Sequence, residues 1–117
     1  MSDHYLQQIS QRLLEFARAR DWEQFHAPKN LAMALAVEAA EIMEHFQWLS
    51  EAQSEQLSDD KRQQVAYEIA DVFIFTIRLS QRLGIDLAAV VDEKIKINEQ
   101  KYPADKVRGS AKKYTEY

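Results

Sequence analysis

Between Pro28 and Gly84 the chain contains no other proline or glycine, and its apolar residues return every three or four positions instead of every second one. A many-stranded sheet needs frequent tight turns, which glycine and proline serve best, and a half-buried strand needs strict alternation. With two glycines and two prolines in 117 residues, the sequence supplies neither. The reading is therefore all-α. A chain of this length makes one domain that buries roughly two-thirds of its unfolded surface.

Leu6, Ile9, Leu13, Phe16 and Ala17 predict a first amphipathic helix over residues 3–20. "RDWEQFHAPKN" then breaks the period, and Pro28 biases the residue before it towards extended backbone, so residues 21–27 are read as a structured loop. Pro28 suits the first turn of a second helix, running to about Trp48. "LSEAQSEQLSDD" is a polar connection with room for a short helical turn. Ser58 is a good N-cap, and Asp59 and Asp60 complement the positive end of a third helix that ends near Gly84. Asp86 caps a fourth through "LAAVVDEKIKINEQKY", stopped by Pro103. Four helices with short connections make a four-helix-bundle-type domain over residues 1–103. The basic tail, 104–117, has no apolar period and is read as mobile, Lys112 and Lys113 included. Long apolar stretches such as "VFIFTIRL" indicate that surface is buried against a second copy, giving a homo-oligomer.

The chain has no cysteine, which removes disulfides, thiolate metal sites and cysteine nucleophiles and suits a reducing compartment. The first residues, "MSDHYLQQIS", contain no apolar signal region, and no run approaches the roughly 18 apolar residues of a membrane span. The expectation is a soluble cytoplasmic protein with no membrane partner. Net charge is −4 despite the basic tail, so the body is acidic. That argues against duplex nucleic acid as a partner and suits a site that concentrates cations.

"LAVEAAEIMEHF" places carboxylates where a core face is expected. At 100° per residue from Leu31, Leu35 falls at about 40°, Ile42 at about 20°, Glu38 at about 340° and Glu41 at about 280°. Glu38 thus lies within the apolar stripe and Glu41 on its edge, while Glu44, at about 220°, points to solvent. "VAYEIADVFIF" repeats the pattern with Glu68 and Asp71 beside Val65, Ile69, Val72 and Phe75. Such acids either pair with Arg or Lys at the stripe edge or share a cation. Two matching i, i+3 pairs favour the cation. With four oxygens and no sulfur, Mg²⁺ is the chemical match and Mn²⁺ a substitute.

The motif E-x-x-E followed after an interval by E-x-x-D resembles the signature of the MazG-like all-α nucleoside triphosphate pyrophosphohydrolases. "RDWEQFHAPKNLAMAL", "FQW", "EIADVFIF" and "KIKINEQKYP" extend the likeness over residues 13–103 and resemble the dCTP pyrophosphatase branch. The resemblance implies hydrolysis between the α- and β-phosphates of dCTP or a modified dCTP, to a monophosphate and pyrophosphate, in clearing the nucleotide pool. It also implies a homotetramer built from dimers, its site drawing on more than one subunit. Glu38, Glu41, Glu68 and Asp71 would be the metal ligands and catalytic acids, one of them or a neighbour orienting the attacking water. Val37, Ala39 and Ala40 stand where related chains often carry glycine, which bears on how closely a neighbouring helix or a phosphate can approach.

By the same resemblance Trp22, His26 and Trp48 line the base and sugar pocket. Flat aromatic rings can stack on a base, while Phe25 is read as core and His45, i+4 from Glu41, as a satisfied packing histidine in preference to one that backs up a ligand. Lys94, Asn98 and Lys101 follow one another at i, i+4 and i+7. On spacing alone they read as a solvated face or as phosphate ligands; the resemblance selects phosphate binding, with Tyr102 closing the pocket. Three rivals stand beside this reading. One is the same chemistry on dUTP or another nucleotide. Another is a di-iron or di-manganese carboxylate bundle, disfavoured because such sites use Glu-x-x-His. The last is a non-enzymatic helical module.

Overall fold

The computed structural model describes residues 3–111; Lys112 and Lys113 of the tail lie outside the described residues. Among the described residues there is no strand, and each of the four long helices expected from the sequence is present. They are α1 (Asp3–Ala19), α2 (Pro28–Phe46), α4 (Asp59–Arg82) and α5 (Leu87–Lys101). Two single-turn helices are added, α3 (Glu51–Ser54) and α6 (Ala104–Val107), with a 3₁₀ turn at Glu23–Phe25. The chain divides into two compact units, Met1–Ile85 and Asp86–Tyr117.

In the first unit α2 packs chiefly along α4, and α1 packs on α4 as well. Among the described residues the buried apolar side chains are Ala17 of α1, Leu31 of α2, and Val65 and Ile77 of α4. α4 is thus the common wall of this unit, and side chains on its inward stripe meet both neighbours.

Local chemistry sets the helix ends. Ser58 Oγ accepts from the Lys61 amide at 3.2 Å, as its N-cap position requires. At the other end Gly84 adopts φ +67°, with Ile85 N–H donating to Ser80 O and Gly84 N–H to Gln81 O. Those two bonds are the Schellman closure. α1 closes in the same way, with Trp22 N–H on Ala17 O and Asp21 N–H on Arg18 O, but the left-handed residue is Asp21, at φ 54°. Aspartate is one of the few side chains that tolerate this region. The loop after α1 therefore starts with a fixed turn that delivers Trp22 beside the helix just left.

α2 stops at Phe46, short of the expected Trp48. Ser50 then forms a full capping box with Gln53 around α3, and these local bonds end the connection's freedom. In the second unit Asp86 Oδ1 accepts from the Ala89 amide at 3.2 Å, starting α5. The helix stops at Tyr102, which is extended (φ −126°, ψ 69°) before Pro103. Pro103 is in turn the N-cap of α6. No helix among the described residues is long and apolar enough to cross a membrane.

Candidate active site

The inward stripes of α2 and α4 bring the two acidic pairs into one neighbourhood. Glu38, Glu41, Glu68 and Asp71 are all half-buried, whereas Glu44 is exposed. Burial is the first cause that pushes the Glu38 carboxyl above the usual carboxylate range. A hydrogen bond with Glu41 and the negative charges of Glu41, Asp71 and Glu68 push it the same way. Two of those charges come from the facing helix, so the four carboxylates share one electrostatic field, as the matching spacings predict.

Glu68 is held differently from the others. His45 Nε2 lies 2.6 Å from Glu68 Oε2, and Lys61 Nζ lies 3.1 Å from His45 Nδ1. An ammonium group can only donate, so Nδ1 accepts and the ring proton sits on Nε2, facing the carboxylate. The neutral ring approaches closely but without good hydrogen-bond angles, so Oε2 is covered by His45 yet has no well-formed hydrogen bond. His45 is therefore not the packing histidine expected from sequence: it tethers a carboxylate of α4 to α2. Lys61 was not singled out by the sequence at all, because its part in the tether depends on the α2–α4 packing.

Among the described residues no three Asp, Glu or His side chains are gathered closely enough to enclose an ion. The donor set nonetheless fits a hard cation. It is all oxygen, its buried Glu68 Oε2 has only the His45 contact, and burial first, then the neighbouring acids, push the Glu38 carboxyl towards protonation. Mg²⁺-type ions favour oxygen ligands of this kind.

The aromatic residues form two groups. Trp22 meets Phe16 edge-on at 5.6 Å and lies 6.2 Å from the His26 ring at a 59° tilt, while Arg20 covers the other ring of the pair, 3.6 Å above Phe16. Phe25, expected in the core, is 60% exposed. The 3₁₀ turn carries it outwards while its neighbour His26 turns in. Trp48 is 87% exposed and borders a cleft of about 490 Å³ that also takes in His45, Gln53, Gln56 and Lys61. Through His45 that cleft adjoins Glu68.

His26 Nδ1 accepts from Arg78, with Nε at 3.3 Å and Nη2 at 3.2 Å. Arg78 is only 2% exposed, although it lies in a stretch read as apolar. Burial first, then the charges of Arg78 and Arg82, hold the His26 pKa below its usual value. An arginine on a core stripe is the same kind of signal as Glu38, and it could have been found in the same way.

Lys94 and Asn98 of α5 are exposed. The Asn98 carbonyl accepts from the Tyr102 amide at 2.9 Å, and Lys101 is half-buried. All four residues belong to the second unit.

Residues 33–117 match the MazG-like family. The chain is 42% identical over 113 residues to dCTP pyrophosphatase 1 of Rattus norvegicus and 41% identical to that of Homo sapiens, in each case over 95% of this chain and 66% of the relative. It thus spans just under two-thirds of the length of these curated relatives. A pyrophosphatase from Archaeoglobus fulgidus has a similar structure, with a TM-score of 0.80 at 36% identity, covering 86% of this chain and 94% of that one.

Proposed function

Because this chain belongs to the MazG-like family, we propose that it is a Mg²⁺-dependent nucleoside triphosphate pyrophosphohydrolase acting on dCTP or a modified dCTP. The observation that carries the reading is the shared field of the four acids, in which charges on α4 act on the Glu38 carboxyl of α2. The names of the similar proteins support the substrate class: two are dCTP pyrophosphatases and the third is a pyrophosphatase.

Glu38, Glu41, Glu68 and Asp71 are proposed to hold the metal, with Mn²⁺ as a substitute. When bound, a divalent ion offsets triphosphate charge and lowers the pKa of a water molecule. The chain's own residues do the rest. An acid of the set takes the proton of the attacking water, and the His45 tether fixes the direction from which Glu68 is offered. Trp22 and Trp48, both exposed, stand beyond opposite ends of α2, so they would present flat faces to one base only from different subunits, and His26 contributes a donor to the sugar or a phosphate. On the resemblance of "KIKINEQKYP", Lys94, Asn98, Lys101 and Tyr102 are proposed to bind the triphosphate. The attack falls on the α-phosphate, leaving a monophosphate and pyrophosphate.

The assembly is proposed to be a homotetramer made of dimers. Met33, Val37 and Met43 on α2 and Tyr67 and Ile69 on α4 are large apolar side chains left exposed in the single chain, a surface that a second copy would cover. A cytoplasmic location, a domain of residues 1–103 with a separate basic tail, and a place in clearing the nucleotide pool complete the proposal.

Pyrophosphate release from the common nucleoside triphosphates and 5-methyl-dCTP, in Mg²⁺ and in EDTA, tests it. The expected result is metal-dependent release that is strongest with dCTP-like substrates and lost in Glu41→Gln. Absence of release from every substrate with every metal refutes it.

A further inference from the structure

Arg78 is almost fully buried, and nothing in the proposed chemistry uses it. Its guanidinium is nevertheless fully engaged. Nη1 donates to Gln81 Oε1 at 2.6 Å, Nη2 lies 3.7 Å from Glu23 Oε1, and Nε and Nη2 both aim at His26 Nδ1. Gln81 in turn donates to the Ser10 carbonyl of α1 at 2.7 Å. Arg78 and Gln81 of α4 thereby tie together α1, the 3₁₀ turn and the residue that follows it.

The chemistry of that contact is one-sided. Guanidinium carries five N–H donors and no acceptor, and it stays protonated in proteins. A nitrogen facing it at 3.2 Å must offer a lone pair, so His26 Nδ1 is unprotonated and the neutral ring carries its hydrogen on Nε2. The charged groups acting on the ring are Arg78 and Arg82 of α4 and Glu23 of the 3₁₀ turn, with Trp22 beside it. Asp71 and Arg78 lie on one face of α4 two turns apart, about 10 Å along the axis. His26, held by Arg78, therefore lies at the end of the α4 stripe that carries Asp71.

We propose that Arg78 is a positioning residue for His26, locking its imidazole in the Nε2–H tautomer so that the ring presents one fixed donor to an oxygen of the bound nucleotide. The inference rests on the nucleotide reading above. Its purpose is pre-organisation: a ring free to exchange tautomers offers the wrong atom part of the time.

The test has two readouts. ¹⁵N correlation spectra of the histidine rings, with His26 identified by comparison with His26→Gln, report the tautomer without substrate. Steady-state kinetics with dCTP report its use. Wild type should show a single Nε2–H form for His26. Arg78→Gln should show mixed tautomers, with KM raised about 5-fold, the loss of one ordinary hydrogen bond, and kcat within about 2-fold. Arg78→Lys, which retains a cationic donor, should recover the tautomer and part of the KM. If Arg78→Gln does not fold, judged by circular dichroism, the wild-type and lysine spectra still decide. A wild-type His26 protonated on Nδ1 overturns the inference, as does an unchanged KM in a variant whose tautomers are mixed. If wild type cleaves no nucleotide, the enzyme reading falls, and the spectra still show whether Arg78 sets the ring.

Discussion

Glu38→Gln should make the metal-free protein more stable and the metal-loaded protein less so. In the folded chain the Glu38 carboxylate is partly desolvated and faces Glu41 on its own helix and Glu68 and Asp71 across the α2–α4 packing. A like-charge neighbour on a helix costs about 0.2–0.5 kcal/mol. Three such neighbours give about 1 kcal/mol of relief when the charge is removed, which for a domain near 100 residues raises Tm by about 4–8 °C. The sign with pH follows from the direction of the shift. A raised pKa means that the folded state keeps this proton where the unfolded chain has released it. Its stabilising effect is therefore present at low pH and lost as pH rises from the ordinary carboxylate value through the raised one. Above that window the variant's advantage in EDTA is complete. Mg²⁺ reverses the order. Wild type gains about 2.7 kcal/mol when the ion is at 100 times its Kd, and the variant, short of one carboxylate, gains less. Thermal unfolding in EDTA and in Mg²⁺ between pH 5 and 8 reads all of this. A variant less stable than wild type in EDTA throughout that range, or one stabilised equally by Mg²⁺, refutes the shared-field argument.

Two further outcomes follow from burial. Leu31 is 1% exposed on the α2 face that meets α4; Leu31→Ala should cost about 3 kcal/mol in urea unfolding, a large share of the 5–15 kcal/mol typical of a whole domain. Trp48→Ala removes a ring that is mostly in solvent, so stability should change by no more than about 0.5 kcal/mol, whereas the nucleotide KM should rise by at least about 5-fold through lost stacking.

The fold was legible because its signals are local. Ser58, Gly84 and Asp86 act at the helix ends where their chemistry places them, and the stripe containing Leu31, Leu35 and Ile42 identifies the inward face of α2 without reference to its neighbours. The end of α1 was less visible, since Asp21 fills a left-handed position that the eye assigns to glycine. At the site the i, i+3 spacing drew attention to the four acids, because periodicity places Glu38 within the apolar stripe and Glu41 at its edge, and all four are half-buried. The partners were not legible. Lys61 reaches His45 across 16 positions and Arg78 reaches His26 across 52, and no local period encodes a contact of that range. Phe25 failed for a related reason: neighbours in a 3₁₀ turn point in different directions, and composition does not say which one turns inwards.

α4 carries charged residues of both signs on the stripe that packs against its neighbours, and the two kinds are resolved in opposite ways. Arg78 has each arm of its guanidinium assigned to a partner within the chain, so its burial is compensated by the fold itself and its role is to hold other groups in place. The acids are not compensated in this way. Glu68 has a single contact, from His45 to its buried Oε2, and the charges acting on Glu38 are all of its own sign. A buried polar group without a partner costs about 1–3 kcal/mol, more when charged. A chain of this size, with few fully buried apolar side chains, has little margin for such a cost unless something outside the chain offsets it. That asymmetry, and not the mere presence of acids, is the reason the four acids are proposed as a cation site while Arg78 is read as structural.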